Sequence, residues 1–360
     1  MSNKKNNLLF IKLAFQQAQI NLGSTGSNPS VGCIIEKNGS VISSGFTKIN
    51  GRPHAEAVSL QKNIKFDNAN LYTTLEPCSH YGKTPPCVKQ IINKKIRHVF
   101  ISIFDCDHRS YKKSKKILNK YKIKVTTKQL VTYGKKFYQS YFLMHKKNKL
   151  PFIDSKISVT KDFYSKIKNS KWITNEHSRK RAHFLRSRYD CIVSTSKSIN
   201  DDNSLLNCRI EGLEKKSPSL VIIDRNLKLK QNLKLFKKIK RKIYIFTASN
   251  KNKKKINFFK KLGIKIIHQK NLKNKDNLKF FYKKLKKMGF SRIFVESGLT
   301  YLNHLITNKI INNLYLFKTK QIAGKNGINY STNNIIKKIN YKKNINVNLF
   351  GDKLYKIKLK

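Results

Sequence analysis

Two short stretches hold residue types that could do chemistry together: HAEAVSL at 54–60, with His54 and Glu56, and LEPCSHYGKTPPC at 75–87, with Cys78 and Cys87. Zinc favours thiolate and imidazole ligands, and a catalytic zinc site uses three protein ligands while keeping the fourth position open for water. His54, Cys78 and Cys87 supply that set. Glu56 lies two residues from His54, close enough to take a proton from water and hand it to a departing amine without being a ligand. That is the chemistry of hydrolytic deamination. A lone cysteine is usually a small core residue and a lone histidine usually a structural one. The ordered combination of HAE, EPC and PPC outweighs both readings, and Pro85 and Pro86 precede Cys87 as they would at a helix start, where the positive end of the helix dipole favours a thiolate.

The elements that must hold these residues follow from the hydrophobic pattern. At 360 residues the chain is long enough for two domains, each with its own core. Before residue 146 the pattern predicts a helix over about 6–21, a strand pair in VGCIIEKNGSVISSGF, a helix from His54, a strand at NLYTTLEP, a helix after Pro86 and a strand at HVFISIF. These make an α/β domain over 1–146. The polar connection HKKNKLP then leads to a second alternation over 147–360: PFIDSKISV, a helix across NEHSRKRAHFLRS, and short buried strands at DCIVSTS, PSLVIIDR, KIYIFTA, IKIIHQ and RIFVESG. Lysine runs such as NKKKINFFKKLG read as solvated helix faces.

Composition narrows the classes. Lys and Arg number 78 against 18 Asp and Glu, a formal net charge of +60. Because the lysines are spread through both halves with many Asn and Ile, codon bias explains them better than a concentrated nucleic-acid stripe, and nucleic acid is not the expected partner. Phosphorylated small substrates suit the charge. Six cysteines (Cys33, Cys78, Cys87, Cys106, Cys191 and Cys208) lack the spacing of a secreted disulfide scaffold and fit a reducing cytoplasm. The N-terminal stretch reads as an amphipathic helix rather than a signal sequence, no segment approaches membrane-spanning length, and a homo-oligomer is compatible with the composition.

The His-x-Glu and Pro-Cys elements are those of zinc nucleobase deaminases, although eight residues rather than two separate the cysteines. SNPSVGCII, GRPHAEAVSL and LYTTLEPCSHYGKTPPC closely resemble the deaminase half of the bifunctional riboflavin-biosynthesis deaminase/reductase family. WIT (172–174), HFLRSRYD (183–190), DDNSLLNCR (201–209), VIIDRNLKL (221–229) and FVESG (294–298) resemble its reductase half. This resemblance implies a cytidine-deaminase-like zinc domain followed by a dihydrofolate-reductase-like α/β domain. It implies zinc-dependent deamination of 2,5-diamino-6-(5-phosphoribosylamino)pyrimidin-4-one, then NADPH-dependent reduction of the ribosyl group to ribityl. By the same resemblance Asn28, His80 and Lys83 fall at substrate positions of the first site. Ser158, Trp172, Ser198, Asp202 and the turn from Gly298 fall at cofactor positions of the second, and Ser170, Arg186, Leu206, Arg209 and Glu296 at its substrate positions. The residues agree with part of this: Lys83 suits a phosphate as a point charge, Arg186 and Arg209 suit one as planar forks, and free amides near Gly298 suit a cofactor phosphate.

The chain also departs from the family pattern. Ser27 stands before the Asn-Pro pair where proline is common, Thr47 near a frequent histidine, DCDH at 105–108 in place of DPNP, and Phe163 where a glycine normally lies beside the cofactor strand. A nucleobase or tRNA-editing deaminase with an inactive second domain is the alternative, but it explains neither the long inter-cysteine loop nor the second half. A zinc-stabilised binding protein would have no need of Glu56.

Overall fold

Phe10, Ile11, Ala14, Phe15 and Ala18 recur at three- and four-residue spacing, and helix α1 (Ser2–Gln19) buries that stripe. It comes closest at Gly32, where a Cβ would sit 1.9 Å from the Ala14 carbonyl oxygen. The computed structural model describes residues 2–237, 239–269, 274–329, 334–341 and 344–360. Its contacts separate residues 1–149 from residues 150–360, each with its own core.

In the first unit α1 packs on a sheet of β1 (Gly32–Lys37), β2 (Ser40–Phe46), β3 (Asn70–Leu75), β4 (His98–Ile103) and β5 (Lys124–Thr126), ordered β2-β1-β3-β4-β5. The β2/β1 and β1/β3 pairs are antiparallel, β3/β4 and β4/β5 parallel. Helices α2 (Ala55–Leu60), α3 (Cys87–Asn93), α4 (Lys113–Lys120), α5 (Val131–Phe137) and α6 (Gln139–His145) complete it. Strands β1, β3 and β4 are buried almost throughout, as strands covered on both faces must be.

The second unit is built on an eight-stranded sheet. Along the chain run β6 (Phe152–Val159), the two-residue β7 (Lys166–Ile167), α7 (Glu176–Arg186), β8 (Cys191–Thr195), α8 (Ser196–Asp202), β9 (Ser219–Ile223), α9 (Lys234–Lys237), β10 (Ile243–Thr247), α10 (Lys253–Lys261) and β11 (Lys265–His268). Then follow α11 (Lys275–Lys287), β12 (Arg292–Glu296), α12 (Leu299–Thr307), β13 (Asn313–Lys318), β14 (Gly327–Ile328), which pairs with β7, and β15 (Lys353–Lys358). The sheet order is β11-β10-β9-β8-β12-β6-β13-β15, parallel except where β15 runs against β13. In an open parallel sheet, ligands bind beyond the carboxyl ends of the strands. Ser158, the Thr195–Ser198 turn and Glu296 all lie there. Among the described residues no helix is long and apolar enough to cross a membrane.

Strands β13 and β15 were not anticipated in the sequence. NLYLFK offers only four apolar residues between polar ends, and KLYKIK is interrupted by Lys356 and buries only Leu354 and Ile357 in a stretch rich in Lys and Asn. The lysine run at 253–261 is a helix as expected, burying Ile256 and Phe259 and turning its lysines outward.

Candidate active sites

Three elements meet at the first site. His54 caps the start of α2, Cys78 follows the end of β3, and Cys87 is the first residue of α3, directly after Pro86. Their donor atoms all lie within 4.8 Å of one another. His54 Nδ1 is 3.6 Å from Cys78 Sγ and 3.5 Å from Cys87 Sγ, and the Cys87 amide donates to Cys78 Sγ at 3.3 Å. The Cys87 thiol, with help from His54 and that amide, holds Cys78 well below the ordinary thiol range. The same pairing, together with burial, pushes Cys87 up. Two sulfurs and an imidazole converging in a largely buried pocket, with one thiolate already favoured, form a donor set that fits zinc.

Glu56 is the second residue of α2 and only 3% exposed, yet it stands outside the ligand set. The Thr73 hydroxyl donates to its Oε1 at 3.2 Å, and burial raises its carboxyl above the usual range. A buried carboxylate placed beside a metal-ligand set without joining it is suited to carry protons as a general acid and base. Asn28 is fixed beside this helix by its Nδ2 donating to the Gly51 carbonyl at 3.0 Å. Gly51, at φ +87°, has to be glycine: a Cβ would lie 2.5 Å from Asn28 Nδ2. His80 Nδ1 meets Ser110 Oγ at 3.1 Å, while Lys83 is exposed on the inter-cysteine loop.

The second site gathers around Glu296, at the end of β12. Arg186 Nε and Nη2 donate to the two Glu296 oxygens at 2.5 and 2.9 Å, and Arg186 Nη1 donates to the Asn207 carbonyl at 3.1 Å. Arg186 and Arg209 were expected as a pair of forks on one phosphate. The fork of Arg186 is instead committed to Glu296, a buried ion pair, and only Arg209 exposes its guanidinium, with one nitrogen on Asn207 Oδ1. Sequence reasoning missed Lys156, the register partner of Glu296 across β6 and β12. Burial lowers its ammonium while Glu296 pulls the other way. Its signal was a lysine in the middle of an otherwise buried strand, FIDSKISV.

Gly298, the N-cap of α12, donates its amide to Ser198 Oγ at 3.0 Å, and Ser198 also meets Thr195 Oγ1. Beside them opens a cavity of about 280 Å³ lined by Lys197, Arg225, Lys228 and Tyr301 among others. Ser158 Oγ is buried with no hydrogen-bond partner, an orphan that a bound cofactor would satisfy. Leu206 is buried at φ +49°, its carbonyl accepting from Arg241. Asp202 pairs with Lys166 at 3.0 Å. Ser170 donates to the Trp172 carbonyl, and Trp172 is half exposed beneath Arg179. Phe163 adopts the left-handed φ of +69° that a glycine would favour, but its ring packs against the sheet core with Lys318 4.2 Å above it.

Residues 4–103 match the cytidine and deoxycytidylate deaminase zinc-binding region, and residues 151–343 match the RibD C-terminal domain. The chain is 29% identical over 319 residues to the riboflavin biosynthesis protein RibD of Aquifex aeolicus, covering 88% of this chain and 87% of that one. It is 30% identical over 337 residues to that of Buchnera aphidicola, covering 88% of each. The solved structure of Acinetobacter baumannii RibD superposes with a TM-score of 0.83 at 22% identity, covering 98% of this chain and 99% of that one. That of a Thermotoga maritima diaminohydroxyphosphoribosylaminopyrimidine deaminase/5-amino-6-(5-phosphoribosylamino)uracil reductase gives 0.81 at 24%, with the same coverage. Fold and site together define a bifunctional enzyme, a cytidine-deaminase-like zinc domain followed by a reductase domain. The chain belongs to the RibD family of riboflavin biosynthesis, with zinc serving its deaminase and NADPH its reductase.

Proposed function

We propose that the first domain hydrolytically deaminates 2,5-diamino-6-(5-phosphoribosylamino)pyrimidin-4-one and that the second uses NADPH to reduce the ribosyl group of the product to ribityl. The observation that carries the first step is Glu56, buried beside three convergent zinc donors of which it is not one. His54, Cys78 and Cys87 would hold zinc, which when bound would supply the Lewis acidity that activates a water for attack. Glu56 accepts the proton of the attacking water and returns it to the amine as ammonia leaves. Asn28 and His80 orient the pyrimidine, and Lys83 faces its phosphate.

In the second domain Ser158, Trp172, Ser198, Asp202 and Gly298 would hold NADPH. The cationic wall of Lys197, Arg225 and Lys228 beside Ser198 supports the placement of a cofactor phosphate there. Hydride transfer belongs to the nicotinamide, so the protein's task is to orient two carbons and exclude water. Arg186 holds Glu296 against the ribosyl group, Ser170 and Leu206 line the same pocket, and Arg209 meets the phosphate. None of the six cysteines is joined in a disulfide, which supports a reducing cytoplasm.

The test incubates zinc-loaded protein with the phosphoribosyl diaminopyrimidine, with and without NADPH, and follows ammonia and product mass. Ammonia in both arms and a reduced product only with NADPH are expected. Zinc-loaded protein that releases no ammonia would overturn the reading.

A further inference from the structure

Residues 109–114 carry none of the motifs described above, yet the loop containing them is fastened to the zinc site from behind. Glu76, buried and two residues before Cys78, accepts from the Asp105 amide at 3.2 Å, the Lys112 amide at 2.9 Å, the Ser114 amide at 3.2 Å and the Ser114 hydroxyl at 2.6 Å. Four donors on one carboxylate fix both ends of the loop. Between them, Asp105 Oδ1 accepts from the Asp107 amide and from the Tyr141 hydroxyl, and the Ser110 amide donates to the Asp107 carbonyl. Ser110 is left fully buried, with its hydroxyl 3.1 Å from His80 Nδ1. Its neighbour Arg109 accepts from the Ser79 hydroxyl through its carbonyl at 3.3 Å. Two consecutive residues of the rear loop thus grip two consecutive residues of the inter-cysteine loop.

The geometry points to Ser110 as a positioning residue for the deamination, its hydroxyl locking the His80 imidazole so that Nε2 is the nitrogen offered to the pyrimidine. Whichever partner donates, the bond holds the rotation of the ring and occupies Nδ1, leaving Nε2 as the free nitrogen. Without it the ring would have to be ordered at each binding event. The inference rests on the reading of His80 as a substrate contact.

Full-length, zinc-loaded Ser110→Ala, His80→Ala and the double variant test it through the KM and kcat of ammonia release, zinc content and melting temperature. Ser110→Ala should raise KM about 3- to 10-fold, the worth of one ordinary hydrogen bond, with kcat, zinc and melting little changed. In the His80→Ala background the same substitution should have no further effect, because the two residues act as one unit. An undisturbed KM in Ser110→Ala, while His80→Ala alone raises it, overturns the role of Ser110 and leaves His80 standing. Additive effects, or zinc loss accompanying the KM change, overturn it too, by making Ser110 merely structural. If His80→Ala itself leaves KM unchanged, the reading of His80 falls and this inference falls with it.

Discussion

At the scale of single residues, Glu56 and Cys87 do separable work. Glu56→Gln keeps every zinc donor and removes the proton carrier, so zinc content should stay stoichiometric while ammonia release falls by about 10²- to 10⁴-fold. Cys87→Ser replaces a thiol that readily yields its proton to a metal with an alcohol that does not, so zinc itself should be lost on dialysis, as metal analysis would record. His183 gives a prediction in pH. Burial, reinforced by Arg186, depresses its imidazole from 6.5 to about 4. Above pH 6.5 the ring is neutral in both folded and unfolded chains, and its contribution to stability is fully present. Below 6.5 the unfolded chain takes up a proton that the folded one refuses, so stability drains away toward pH 4 by at most about 3 kcal/mol. Denaturant melts between pH 7 and 4 should show a shallower acid slope in His183→Gln, and an unchanged slope would remove His183 as its source.

At the scale of elements, the zinc donors depend on how closely a six-residue helix lies on its sheet. A Cβ on Gly45 of β2 would sit 2.3 Å from the Ala55 carbonyl oxygen and 2.8 Å from the Ser59 amide, both in α2. Gly45→Ala must therefore push α2 outward and carry His54, at its start, away from Cys78 and Cys87. A cost of about 1–3 kcal/mol is expected from such overpacking, with faster zinc loss to a chelator than in the parent protein. If chelation kinetics do not change, α2 has yielded elsewhere and its seating on β2 does not set the site. The elements around this site were legible in the sequence because their signals are local: short, nearly continuous apolar strands, prolines before Cys87, and donors within a few residues of element ends. Glu76 and Ser110 were not legible, since their partners lie some thirty residues away and a buried carboxylate bonded to backbone amides leaves no spacing pattern. The partner of the Arg186 fork was hidden for a related reason. Sequence gives the type of a side chain but not its partner, and Glu296 is 110 residues distant.

At the scale of the whole molecule, the formal charge of +60 and the two separate cores pull on different properties. So large a charge raises the local concentration of any phosphorylated substrate through a long-range field that salt screens, so both reactions should lose kcat/KM as ionic strength rises. The separate cores bear on chemistry instead. Each unit buries its own apolar interior, so neither reaction should need the other's catalytic residues. Arg186→Ala is a poor probe of this, because it would leave Glu296 as an unpaired buried charge and risk the fold. Arg209→Ala is better, since Arg209 is exposed and among the described residues its side chain donates to Asn207 Oδ1. It should raise KM for the reductase substrate, lessen the salt dependence of that reaction by the loss of one phosphate contact, and leave ammonia release untouched. Glu56→Gln should do the converse, abolishing ammonia release while reducing the deaminated intermediate normally when that compound is supplied with NADPH. Both variants would be assayed on both substrates over the same range of salt. Loss of deamination in folded, zinc-loaded Arg209→Ala would mean that the reactions share a site, and the division of labour at the 145–151 connection would have to be abandoned.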